Sequence, residues 1–231
     1  SMDMQQISIF GKPVWSEQTL TVNGREIPAT QNGWQLLRTN ASLPMTLSSS
    51  MPWQIGFINI ERPGRGVTVS AMGINGAQLS QWSKWRPGMW EDLAQTKADL
   101  IILAYGTNEA FSGNLDISTT ERTWRNYIRQ IKNTLPNAGI LILGAPESLK
   151  PAYGSCGNRP VLLSEVQQMQ QRVARDEKIM FWSWQDAMGG ACSMKNWMAQ
   201  GLAAKDGVHF SAQGYETAAD KLADSLIRFA Q

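Results

Sequence analysis

Apolar positions recur along the chain with two different periods, and the change from one to the other falls near residue 72. Before it, short segments alternate apolar and polar residues, and turn residues are dense. Thr19–Val22 and Arg25–Pro28 flank Asn23-Gly24, a pair that supplies the positive φ angles of a type I′ turn, so this stretch predicts a β-hairpin. Ile7–Phe10, Trp34–Arg38, Met45–Ser50 and Gly56–Glu61 read as further strands, with no amphipathic helix of any length among them. The pattern predicts part of an antiparallel β-sandwich. About 70 residues is short for a complete one, so the unit is expected to be incomplete.

From Gly66 onward, short apolar runs alternate with helical periodicity, the signature of a parallel sheet flanked by helices. Gly66–Ala71, Leu100–Tyr105, Gly139–Gly144 and Ile179–Trp182 are the predicted strands. One helix is expected to open on the capping box Ser118-x-x-Glu121, with Trp124, Ile128, Ile131 and Leu135 facing the sheet. A second carries Val166, Met169 and Val173 on one face. A third starts at the N-cap Ser211 and lines up Tyr215, Ala219, Leu222, Leu226 and Phe229. In open sheets of this kind, ligands gather beyond the carboxyl ends of the strands.

Composition narrows the function classes. Hydrophobic residues make up 42% and charged residues 17%, which suits a packed core rather than disorder. A net charge of +2 gives no footprint for nucleic acid or an anionic membrane. The longest apolar runs are far too short to span a bilayer, so no membrane span is expected. Ser1-Met2 has the look of a cloning remnant, and the lack of a signal peptide does not place the protein in the cytoplasm. Cys156 and Cys192 both lie in Gly-rich turns. A bridge between them would close a loop worth roughly 3–4 kcal/mol and would suit an oxidising compartment; two separate thiols are the alternative. Ten tryptophans suggest sugar stacking for some, Trp82 and Trp85 among them, but burial is the better account of most, and none is assigned to the site.

Three strings could carry chemistry. His209, the only histidine, sits in DGVHFSAQGY with Asp206 three residues before it, a carboxylate–imidazole pair suited to drawing a proton from a hydroxyl. In AYGTNEAF, Gly106 permits a tight turn after a buried strand, and Asn108 can aim its amide at a developing oxyanion or merely close an Asx-turn. In SAMGINGAQLS, Gly73 and Gly76 let backbone approach a ligand, or mark a simple turn.

In that order, GINGA, GTNE and DGVH resemble the glycine, asparagine and histidine blocks of the SGNH (GDSL-type) serine hydrolase family. The likeness covers about residues 66 to 231. It implies a flavodoxin-like parallel sheet, oxyanion donors at Gly76 (backbone) and Asn108 (side chain), His209 as general base and Asp206 as its orienting carboxylate. The whole arrangement looks like the bacterial peptidoglycan O-acetylesterases, particularly the Neisseria type, in which a β-sandwich resembling a carbohydrate-binding module is inserted between the serine and glycine blocks. Residues 1–65 would then be the end of that insertion, and residues 66–231 the hydrolase domain. The resemblance implies removal of O-acetyl groups from peptidoglycan muramoyl residues, a periplasmic or cell-envelope location, and no metal or organic cofactor. Acetylxylan or another acyl ester, acetyl transfer to a sugar, and a catalytically silent glycan-binding role are the competing readings.

One departure stands out. No Gly-Asp-Ser block follows a strand and opens a helix anywhere in the chain. Ser70, Ser155 and Ser211 are poor substitutes, so the nucleophile is expected on a segment upstream of this chain. A sheet lacking that strand would expose an unpaired edge, which predicts that the segment is physically present as a separate or nicked chain completing the fold.

Overall fold

A computed structural model describes residues 4–15, 18–150 and 156–230. The chain divides into two compact units, Ser1–Met72 and Gly73–Gln231.

In the first unit, strands β1 (Gln5–Pro13), β4 (Gln35–Ala41) and β6 (Trp53–Glu61) form one antiparallel sheet in the order β4-β1-β6. Strands β2 (Thr19–Val22), β3 (Arg25–Pro28) and β5 (Leu47–Ser48) form another in the order β3-β2-β5. The β2–β3 turn carries Asn23 at φ 48° and Gly24 at φ 81°, as a type I′ turn requires. Ile7, Ile9 and Leu37 from one sheet share a buried core with Leu20 and Val22 from the other. Ile58 and Ile60 pair with Ile9 and Ile7 and so point to the same side, yet both are exposed.

The second unit holds the parallel strands β7 (Leu100–Leu103), β8 (Gly139–Leu143) and β9 (Met180–Trp182) in the order β7-β8-β9. Its helices are α1 (Met89–Thr96), α2 (Thr107–Phe111), α3 (Ile117–Thr134), α4 (Leu163–Asp176), α5 (Trp184–Met188), α6 (Met194–Ala199) and α7 (Ala212–Phe229). Helices α3 and α4 cover one sheet face: Trp124, Ile128, Ile131, Met169 and Val173 bury against Leu103, Ile140 and Ile142. Leu149, Met188, Met194, Trp197 and Phe210 form a separate core beside α7.

Three expectations change. Gly66–Ala71 is not a strand: it pairs with nothing among the described residues, and Val67 is 91% exposed. Its backbone groups lack the ladder that would fix a strand, and β7 pairs only with β8 among the described residues, its other edge open there and Ile102 42% exposed. Helix α3 starts earlier than the Ser118–Glu121 pattern implies, because Asp116 caps it by accepting the Thr119 N–H at 3.0 Å. Glu121 binds Arg125 and Arg172 instead.

Helix α7 begins at its Ser211 cap but turns a different face inward, burying Gly214 and Ala218 while Tyr215 and Phe229 stay exposed. A Cβ on Gly214 would lie 1.9 Å from the Leu202 carbonyl oxygen, a backbone approach that hydrophobic periodicity does not register. Gly214→Ala is therefore expected to lower stability by about 2–3 kcal/mol in urea denaturation. An unchanged midpoint would contradict the close packing of α7 on Leu202.

Candidate active site

The turn leaving β7 is built around two residues that its sequence makes obligatory. Gly106 has φ +122°, and a Cβ there would strike Gln170 Nε2 at 2.7 Å and Ala145 Cβ at 2.9 Å. Buried Gln170 spans the rim, donating to the Tyr105 carbonyl at 2.7 Å and accepting from the Ala145 N–H at 2.8 Å. Glu109, 1% exposed, accepts the Gly106 N–H at 2.9 Å with Oε2 and the Leu79 N–H at 2.9 Å with Oε1. Burial is the largest influence on its carboxyl and pushes it above the ordinary range against the pull of those N–H groups.

The same clasp places the amide of Asn108. Its Nδ2 donates to the Ala77 carbonyl at 2.9 Å, and Gln78 Nε2 donates back to the Asn108 carbonyl at 3.2 Å. Ala77 closes a turn onto Ile74, with Gly76 at φ +76°. Open space surrounds the position of a Gly76 Cβ, so glycine serves the backbone angle there and not clearance. One hydrogen of the Asn108 amide and the Gly76 N–H have no partner among the described residues. The structure thus brings Asn108 and the Gly76–Ala77 turn together.

Asp206 and His209 also meet. Asp206 Oδ2 lies 2.7 Å from His209 Nδ1, and Oδ1 accepts the N–H groups of Val208 at 2.8 Å and His209 at 3.0 Å. That arrangement fixes Nδ1 as the protonated ring nitrogen and leaves Nε2 free of partners among the described residues. The imidazole is open to solvent, its side chain 72% exposed. Desolvation, the largest influence on Asp206, works upward, but the His209 ring and the two N–H groups hold its carboxyl below the ordinary range.

Both halves dock on the segment that leaves β8. The Leu149 N–H donates to the Gly207 carbonyl at 2.8 Å, inside the Asp206–His209 turn. The next residue places Lys150 Nζ 5.6 Å above the Phe111 ring, in the same short helix as Asn108. This segment is itself pinned by fully buried Glu147, which accepts from Arg159 Nε at 2.6 Å and Gln185 Nε2 at 2.6 Å. A Cys156–Cys192 disulfide adds a covalent tie, resolving the pairing that the sequence left open. No hydrogen bond joins His209 directly to Asn108 or Gly76 among the described residues.

Of the serines weighed as nucleophiles, Ser211 is occupied, donating to the Gly201 carbonyl and accepting the Gly214 N–H. Ser70 lies in the stretch without regular structure, and Ser155 falls outside the described residues. Glu109 and Glu147 brace the site without any motif that marks that role. Glu109 adjoins Asn108 in the GTNE string, whereas the Arg159 and Gln185 partners of Glu147 are too far along the chain to read from it.

A family model of the GDSL-like lipase/acylhydrolase family matches residues 49–217. A solved peptidoglycan O-acetylesterase is 64% identical over 99% of this chain with a TM-score of 0.94, and the chain spans 65% of that protein's length. An acetyl xylan esterase is 16% identical, covering 67% of this chain and 78% of its own, with a TM-score of 0.53. A GDSL-like lipase from Bacteroides thetaiotaomicron is 20% identical, covering 69% of this chain and 75% of its own, with a TM-score of 0.51. These last two share the fold. No match is found among curated protein sequences.

A depressed carboxyl at Asp206 means that its pairing with His209 favours the folded state above the unfolded carboxyl value, about 3.9, and that this contribution is lost as pH falls through the lower folded value. An NMR titration of the Asp206 carboxyl carbon is expected to give a midpoint below ~3.9. A midpoint at or above that value would contradict the pairing.

Proposed function

The chain belongs to the GDSL-like lipase/acylhydrolase family, and from that premise we propose that it works in a serine ester hydrolase removing O-acetyl groups from the muramoyl residues of peptidoglycan. The observation that carries this reading is the pairing of two prepared half-sites on one post-β8 segment, an oriented Asp206–His209 couple and an Asn108 amide tied to the Gly76–Ala77 turn. The substrate follows from the 64% identity to a peptidoglycan O-acetylesterase, and with it a periplasmic or cell-envelope location.

The nucleophile in this reading is a serine on a segment upstream of the chain. Its Oγ attacks the acetyl carbonyl while His209 Nε2 accepts the proton, and Asp206 holds the ring tautomer and stabilises the imidazolium. The free hydrogen of the Asn108 amide and the Gly76 N–H meet the oxyanion as it forms. Collapse expels the sugar hydroxyl, protonated by His209, and water repeats the attack on the acetyl-serine to release acetate. No metal or organic cofactor enters these steps.

The open edge of β7 supports a strand added there by the same upstream segment. Exposed Ile58 and Ile60, on the core side of β6, support an antiparallel sandwich completed from the same source, a carbohydrate-binding-module-like insertion. The full protein is expected to release acetate from O-acetylated peptidoglycan faster than from acetylxylan. Asn108→Ala in that protein is expected to lose about 10²–10³ in kcat, or ~3–4 kcal/mol of transition-state stabilisation. Absence of acetate release from peptidoglycan would overturn the substrate, and an unchanged kcat would remove Asn108 from the site.

A further inference from the structure

Residues 76–79 and 106–109 are stitched together by side chains rather than by a strand ladder. Asn108 donates to Ala77, Gln78 donates to Asn108, and Glu109 accepts from Leu79. The Glu109 contact differs from the other two because its carboxylate is buried and bonds both segments at once, one oxygen to each. Helix α2 has five residues, too few to set its own direction by internal hydrogen bonds. Something outside it must fix where Asn108 points.

We infer that Glu109 is the positioning residue of the oxyanion site: its two carboxylate oxygens, one on the Leu79 N–H and one on the Gly106 N–H, set the separation between the Gly76 turn and the Asn108 amide. This rests on the acyl-transfer reading for its catalytic consequence, although the clasp itself does not. Both donors are backbone groups in the protein interior that would be left without a partner if the carboxylate were removed, and an unpaired buried N–H costs free energy comparable to a lost hydrogen bond. Burying a charged carboxyl is unfavourable in itself. Two acceptors in fixed geometry are what an acid provides here and an amide cannot. Glutamine has one acceptor oxygen and would turn its NH2 donors toward one of the two N–H groups.

The two conservative replacements therefore separate positioning from packing. Glu109→Gln keeps the volume and loses an acceptor, whereas Glu109→Asp keeps both acceptors and loses a methylene. In the full protein, with a small neutral acetyl ester as substrate, Glu109→Gln is expected to lower kcat roughly 10- to 100-fold with KM held within about two-fold, since a misplaced donor acts on the transition state more than on ground-state binding. Glu109→Asp is expected to retain more of kcat than Glu109→Gln. Amide hydrogen exchange at Leu79 and Gly106 should accelerate in Glu109→Gln.

A side chain that merely fills space gives the opposite order, with glutamine the better substitute, and that result would overturn the inference. Unchanged exchange at Leu79 and Gly106 would overturn it as well, whatever the activity. If the unsubstituted protein hydrolyses no acetyl ester, the hydrolase reading fails on its own, and the exchange measurement still decides whether Glu109 clasps the two segments. If Glu109→Gln does not fold, the exchange and kinetics of Glu109→Asp decide: lost protection of either amide with kcat unchanged would overturn the inference, and protection of both with kcat largely kept would support it.

Discussion

Glu109 holds two chain segments with one carboxylate, and the placement of everything on that side of the site depends on it. Leu79 and Gly106 each offer it a backbone N–H, and the segments that carry them also meet where the Asn108 amide donates to Ala77 beside the Gly76 turn. A charged group withdrawn from water normally opposes folding. Here it is retained where two loops, neither rigid by its own hydrogen bonding, must meet in one geometry. Gln170 does the same with neutral chemistry one layer deeper, joining Tyr105 to Ala145 beneath Gly106.

The histidine side is arranged differently. Asp206 and His209 stand in solvent and are oriented by their own turn, through two N–H groups given to one carboxylate oxygen and the ring given to the other. Rigidity comes from below. Leu149 grips Gly207, buried Glu147 anchors that segment to Arg159 and Gln185, and Gly214 seats the first turn of α7 against Leu202. An exposed imidazole on a fixed base suits the general base of the proposed hydrolase.

Local chemistry was legible in the sequence, and nonlocal contact was not. The Asn23-Gly24 hairpin, the buried faces of α3 and α4 and the Ser211 cap all follow from residues within a few positions of one another, and each stands as read. So does the meeting of Asp206 with His209, three residues apart. Gly66–Ala71 has the composition of a strand, but a strand exists only with a partner, and none of the described residues provides one. Hydrophobic periodicity does not give the inward face of α7, because a glycine pressed on a carbonyl, not an apolar stripe, sets its rotation. Glu121 looked like half of a capping box, yet arginines on α3 and α4 claim it. Glu109 is one letter of the short GTNE string, and only its distance to Leu79 reveals what it does.

In the proposed reaction the Asn108 amide, the Gly76 N–H and the His209 ring serve one serine hydroxyl. A crystal structure of the full protein after reaction with a serine-directed phosphonate tests it most directly. The expected adduct is covalent, with its phosphoryl oxygen about 3 Å from both Asn108 Nδ2 and the Gly76 nitrogen and His209 Nε2 in hydrogen-bond reach of the modified serine oxygen. An adduct whose oxygen faces away from Asn108, or a labelled serine out of reach of His209, would contradict it.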